Sequence, residues 1–196
     1  MGRSKTWHRV RRGVLAAVAS VAAGALAAGC GVVSALIPHK LQTPATMTLT
    51  SSAFSKDEQI PRQFTCHGAG LTPPLYWTGA PTASAAQATK SFAILVDDSS
   101  APTTPYVYWI VFDIPAGTSS IAQDLLPPGA LQGLNSRGGR GYDPLCPPPG
   151  GHWYRFTVYA LNAWIPLPAG SPLKQVWQAI ASHVIAIGRL DAPARP

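Results

Sequence analysis

The stretch from Gly138 to Leu161, GGRGYDPLCPPPGGHWYRFTVYAL, constrains the chain more than any other. Proline fixes φ and removes backbone donors, whereas glycine admits positive φ and lets a ligand approach the backbone closely. The rigid run Cys146-Pro147-Pro148-Pro149, with Gly138, Gly139 and Gly141 before it and Gly150 and Gly151 after it, predicts a loop stiff in its middle and adaptable at both ends. The segment Tyr154 to Leu161 is dense in aromatic and β-branched residues, which predicts a strand buried on at least one face. His152 stands where this loop feeds that strand, a position suited to a binding residue on a fixed scaffold.

Other strands are predicted at Met47–Ser51, Leu75–Trp77, Ser91–Val96, Tyr106–Ile114 and Val184–Ile187, with a polar turn over Asp97-Asp98-Ser99-Ser100-Ala101-Pro102. Ala80 to Ala86 reads as a low-complexity loop. Leu173, Val176, Trp177 and Ile180 follow a helical period, and Ser171-Pro172 offers an N-cap and a first-turn proline, so a helix is expected from Leu173 to about Ser182. The chain is thus mostly β, and it has no βαβ repeat of the kind a nucleotide fold needs.

The N-terminus reads as a secretory signal over residues 1–29. Arg3, Lys5, Arg9, Arg11 and Arg12 form a basic region, and an alanine-, valine- and leucine-rich run from Val14 to Gly29 leads to Cys30. Leu26-Ala27-Ala28-Gly29-Cys30 resembles a bacterial lipobox, with alanine where leucine is usual three residues before the cysteine. This predicts lipidation (palmitate) at Cys30 and an exported lipoprotein on the outer face of the cell membrane; an uncleaved anchor over Val14 to Ile37 is the alternative. Arg11-Arg12 leaves export by the twin-arginine route open. Residues 30–45 read as a tether, 46–192 as the globular domain and 193–196 as a tail. The whole chain carries 15 basic and 8 acidic residues; without the five basic residues of the signal the balance is ten to eight. The basic pI therefore belongs to targeting and gives no ground for a nucleic-acid partner.

With Cys30 lipidated, Cys66 and Cys146 remain as an even pair in an oxidising compartment, so a disulfide is the expected reading. It would stabilise the fold by roughly 4–5 kcal/mol on the chain-entropy model. Two alternatives stay open: a reactive Cys146 with His152 as its base, and a metal site from Cys66, His67, Cys146 and His152. Against the first, prolines follow Cys146 where a helix N-terminus or a cation would be needed; against the second, no tight zinc-type spacing is present.

Six motifs in order, Phe64-Thr65-Cys66-His67-Gly68, Pro73-Pro74-Leu75-Tyr76-Trp77, Val96 to Pro102, Tyr108 to Pro115, Gly141-Tyr142 with Cys146-Pro147-Pro148, and His152-Trp153-Tyr154, resemble the bacterial branch of the phosphatidylethanolamine-binding protein family, also called Raf-kinase-inhibitor-like proteins. The resemblance covers roughly Met47 to Leu190. It implies a mainly β, antiparallel sandwich with one or two short helices and a small pocket for anionic groups such as phosphate or phosphorylated headgroups. Asp98 matches the first aspartate of the family's Asp-Pro-Asp-x-Pro turn, His152 the histidine before the core strand, Tyr154 the tyrosine after it, and Pro147 and Pro148 the pocket-wall prolines. Three positions depart: Ser99 replaces the proline, Ser100 the second aspartate, and Tyr108 the histidine before Trp109. Pro144-Leu145 stands in place of a glycine-proline. His183 matches a family position but is expected to be structural.

Replacing a histidine by Tyr108 leaves a neutral hydroxyl, and Ser100 removes a negative charge, so the resemblance implies a retained pocket shape with altered and weakened anion affinity. The expected binding residues are Asp98, Tyr108, Trp109, Pro147, Pro148, His152 and Tyr154, with Asp98 orienting His152 or a loop backbone. For Trp109 and Tyr154 a plain core role is the alternative, and for Asp98 a turn cap. The leading expectation is a non-enzymatic, membrane-tethered binding protein without catalytic residues, metal or cofactor, whose partners are a small anionic or phosphorylated ligand and a partner protein it modulates. An exported hydrolase using Cys146 or His152, and a pure protein-interaction module with a degenerate pocket, are the alternatives.

Overall fold

The protein is described here by a computed structural model covering residues 43–82, 88–101 and 104–196. The predicted signal, Cys30, most of the tether, Pro102 and part of the low-complexity loop lie outside the described residues.

The described residues form nine strands: β1 (Ala45–Thr46), β2 (Thr48–Thr50), β3 (Leu75–Thr78), β4 (Ser91–Asp98), β5 (Val107–Pro115), β6 (Ser120–Ile121), β7 (Leu131–Gln132), β8 (His152–Leu161) and β9 (Val184–Ala194). They make a six-stranded sheet in the order β1-β9-β8-β4-β5-β7 and a three-stranded sheet in the order β2-β3-β6. All neighbouring pairs are antiparallel except β1 and β9. The expected mainly β sandwich is what forms. Among the described residues, one α-helix, α1 (Leu173–Ala181), and a 3-10 turn at Arg62–Phe64 complete it.

Two apolar layers hold the large sheet. Leu49, Trp77 and Ile121 of the small sheet pack against Ile94, Trp109 and Phe156 on its inner face. On the outer face, Val176 and Ile180 of α1 cover Ile110, Phe112 and Leu161. Trp109, Phe64, Phe92 and Phe156 are among the fully buried side chains, and each such burial stabilises the fold by roughly 1.5–3 kcal/mol.

Three local readings change. The strand at Ser91 runs on through Asp97 and Asp98, where a polar turn was expected. Both carboxylates are buried within β4 because each meets a basic side chain of β8: Asp97 pairs with Arg155, and Asp98 with His152. The closing strand extends past Ile187 to Ala194, because its hydrogen bonding to β8 continues as far as His152↔Ala194. Finally, Ser171 does not cap α1: its hydroxyl donates to the Pro168 carbonyl (2.7 Å), and Pro172 occupies the cap position with no side-chain bond.

Candidate functional site

β4 and β8 lie side by side with Asp98 opposite Tyr154. Alternation along β8 places His152 on the same face as Tyr154, one step beyond the Asp98 pair. The Asp98 carboxylate thereby reaches His152, Oδ2 lying 2.6 Å from Nδ1, while its Oδ1 accepts the Ser100 amide (2.8 Å). Asp98 is 7% exposed and His152 34% exposed, so the orienting group is inside and the imidazole edge faces out. Asp98 thus contacts both the histidine ring and the turn backbone.

Tyr108 is brought to this site by a β-bulge. Val96 pairs with Trp109 and Asp97 with Val107, so Tyr108 is the extra residue of β5. A bulge re-aims a side chain: Tyr108 and the adjacent Trp109 both pack into the inner layer. The Tyr108 ring stands edge-on to Tyr154, 5.4 Å between centroids, and Tyr106 lies 4.7 Å from Tyr108 on its other side. The hydroxyl of Tyr154 is buried against that of Tyr108. Burial pushes the Tyr108 phenol up to about 12. It raises Tyr154 as well, with Tyr108 and Asp98 adding repulsion against a phenolate. Both tyrosines are therefore neutral hydroxyls at physiological pH.

The loop before β8 is held from behind. Cys66 and Cys146 are joined by a disulfide, the Cys66 amide donates to the Leu145 carbonyl (2.8 Å), and the Tyr142 hydroxyl donates to the Phe64 carbonyl (2.8 Å). Pro147 is buried and Pro148 exposed, and the Gly151 amide closes the turn onto the Pro148 carbonyl (2.9 Å). Gly151 sits at φ +82°, and a Cβ there would come within 2.7 Å of the Ala194 carbonyl oxygen, so both backbone conformation and space require glycine. In the disulfide Cys146 has no thiol to act as a nucleophile. The sulfurs do lie near His67, within 4.8 Å, but they are bonded to each other and not available as thiolates.

Of the other expected residues, Ser99 and Ser100 border this group, whereas Trp109 and His183 stand apart from it. Trp109 is buried, its indole N–H donating to Gln132 Oε1 (2.7 Å), and it lines a separate recess of about 260 Å³ with Thr72, Asp124 and Tyr142. Ser99 and Ser100 tie the β4 end to β8: the Ser99 hydroxyl donates to the Trp153 carbonyl (3.1 Å), and Ser100 Oγ accepts the Trp153 amide (2.9 Å). His183 lies 21 residues beyond Asn162 and contacts its Oδ1 through Nδ1 at 3.2 Å, away from this cluster.

Sequence reasoning missed a second polar layer. Asp143, buried, accepts the Tyr106 hydroxyl (2.8 Å) and the Arg137 Nε–H (3.1 Å) on the same oxygen, and its amide donates to the Tyr108 carbonyl (2.8 Å). This fixes the tyrosine ladder from outside. Its signal was the acidic residue inside Gly141-Tyr142-Asp143-Pro144, where only the flanking motif residues drew attention.

Chemically, the Asp98 carboxylate holds Nδ1 and leaves Nε2 for a ligand. An imidazole so placed offers Nε2 as an acceptor when neutral and as a charged donor when protonated. Beside it are the neutral hydroxyls of Tyr108 and Tyr154, which can donate to an oxyanion.

The family model for phosphatidylethanolamine-binding protein matches residues 50–194. A Mycobacterium tuberculosis protein named as a lipoprotein, LppC, is 40% identical over 146 residues, 74% of this chain and 70% of its own. The crystal structure of CT736 from Chlamydia trachomatis, described as a homologue of the family, superposes with a TM-score of 0.68 at 33% identity, covering 79% of this chain and 99% of that one. E. coli YbcL, described as a member of the mammalian family, gives 0.69 at 31% identity, covering 76% and 98%. With the motifs, the sandwich and these likenesses in agreement, the chain belongs to the phosphatidylethanolamine-binding protein family.

Proposed function

We propose that this protein is a non-enzymatic binding protein, tethered to the outer face of the cell membrane through a lipidated Cys30, that holds a small anionic or phosphorylated group at His152. The observation that carries the reading is the Asp98–His152 pair: Nδ1 is committed at 2.6 Å to a buried carboxylate, and Nε2 is left as the outward-facing nitrogen. The neutral Tyr108 hydroxyl supports it, since a hydroxyl donor beside the ring adds to the imidazole in holding an oxyanion. The remaining roles follow: Tyr108 and Tyr154 donate to the ligand oxygens, Pro147 and Pro148 shape the wall, and Trp109 supports Tyr108 from the core. The ligand binds best when His152 is protonated, since only then do both ring nitrogens donate. The lipoprotein name of one relative and the lipobox-like sequence support the tether. Modulation of a partner protein is a further role, with Trp153, 43% exposed and on the opposite face of β8 from His152, as the contact such a partner would meet.

Calorimetric titration of the full chain with phosphate and phosphoethanolamine, beside His152→Ala, tests the site. Saturable binding weakened at least roughly tenfold in the variant, about 1.4 kcal/mol, is expected. Equal affinities would move the anion elsewhere.

A further inference from the structure

α1 has nine residues and covers only part of the outer face of the large sheet. Val176 and Ile180 dip onto Ile110, Phe112 and Leu161, while Leu173, Lys174 and Trp177 border the part of the face toward Thr104 and Pro105. There the first turn of α1, the sheet and Thr104-Pro105 enclose a cavity of about 500 Å³. It is on the opposite face of the sheet from Asp98, His152 and Tyr154, because its strand residues, Leu95, Asp97, Val107, Arg155 and Tyr159, belong to the other side of the alternation.

The lining has two parts. The floor is apolar: Leu95, Val107 and Tyr159, with Leu173 and the ring of Trp177 as a wall. Trp177 stands edge-on to Tyr159, 5.5 Å between centroids, yet keeps 39% of its surface exposed. The rim is cationic. Arg155 is held by Asp97, its Nε 3.0 Å from Oδ1, which leaves Lys174 and Arg189; no carboxylate among the described residues lies within ion-pair distance of either. On the same face of β8, between Arg155 and Tyr159, Thr157 buries its hydroxyl against that of Tyr159.

A volume of this size, mostly apolar with a few convergent polar groups, is the usual form of a small-molecule site. We infer that this cavity is a second binding site, independent of His152, for a freely diffusing small amphiphilic carboxylate. Its ring or chain lies between Tyr159, Val107 and Trp177, and its head meets Lys174 and Arg189. The charge decides the class. An apolar body alone would leave both cations unmatched, and a polar anion would leave the floor wet. The site asks for both halves in one molecule, and Trp177 reports its occupancy.

The probe is 4-phenylbutyrate, with 4-phenylbutanol as the neutral isostere, titrated into the purified full chain by calorimetry while NMR follows the indole signal of Trp177 and the ring signals of His152. The expected result is saturable binding of the carboxylate that shifts Trp177, leaves the His152 signals in place and exceeds the alcohol roughly tenfold. The Lys174→Gln/Arg189→Gln variant, altered only at exposed side chains, is expected to bind acid and alcohol alike, and Trp177→Ala to weaken both. Absence of saturation up to about 10 mM would overturn the inference. So would binding that moves His152, or a preference for the acid that survives the double variant.

Discussion

Tyr108 stands where the family resemblance implied a histidine, and its burial makes a quantitative prediction. The phenol is 8% exposed, and the cost of placing a phenolate there, with Asp98 adding repulsion, pushes its pKa up to about 12 from an ordinary 10.0. The unfolded chain ionises near the ordinary value, so between the two values the unfolded state binds fewer protons than the native one. The contribution is complete below pH 10 and is lost as pH rises through about 12. At 1.36 kcal/mol per unit, the native state loses about 1.4 kcal/mol by pH 11 and about 2.3 kcal/mol by pH 12 from this residue. Tyr142 and Tyr154 are raised as well, chiefly by burial and in part by Tyr108 itself, so Tyr108→Phe also trims their alkaline loss and widens the difference in the same direction. Urea unfolding of the two proteins at pH 8 and pH 11 gives the difference. Tyr108→Phe is expected to lose at least about 1.4 kcal/mol less than wild type over that interval. Equal losses would mean that the hydroxyl is solvated and that the tyrosine pair does not face the ligand from a dry wall.

Two further substitutions probe the frame. Replacing Cys66 and Cys146 together by alanine removes a link across 80 residues and is expected to cost about 4–5 kcal/mol in urea unfolding; a loss under about 1 kcal/mol would contradict the role given to the bridge. Arg155→Met leaves the Asp97 carboxylate, 1% exposed, without its cation and is expected to cost about 2–4 kcal/mol, whereas Asp97→Leu/Arg155→Met stays within about 1 kcal/mol of wild type; a double variant as weak as the single would show that the pair itself, not the stranded charge, carries the stability.

The strands that read clearly were those whose pattern is local. Ser91 to Val96, Tyr106 to Ile114 and Tyr154 to Leu161 are continuous runs of branched and aromatic residues, which is how strands buried on both faces look. Asp97 and Asp98 look like turn residues because the groups that make them tolerable in a strand, Arg155 and His152, lie more than fifty positions away. Only the register of β4 on β8 brings them together. The bulge at Tyr108 is equally silent, since nothing in Tyr106 to Trp109 announces that one residue will be unpaired, and its consequence is that two successive aromatics share a face. The candidate site was legible through His152, Asp98 and Tyr154 because the motifs carried them. Asp143 was not, because its partners Tyr106 and Arg137 meet it only in three dimensions. The outer cavity left no trace in the sequence: its cations, Lys174 and Arg189, belong to a helix and a strand that read simply as amphipathic and as closing the sheet.

The central claim is that Asp98 holds His152 so that Nε2 receives an anion. The most direct measurement follows the two ring nitrogens of His152 by NMR as phosphate is added to the full chain. The account predicts a saturable change centred on Nε2, with Nδ1 keeping its bond to Asp98, stronger at pH values where the ring is protonated and absent in His152→Ala. Ring nitrogens that stay unmoved up to about 10 mM phosphate at such a pH would contradict it.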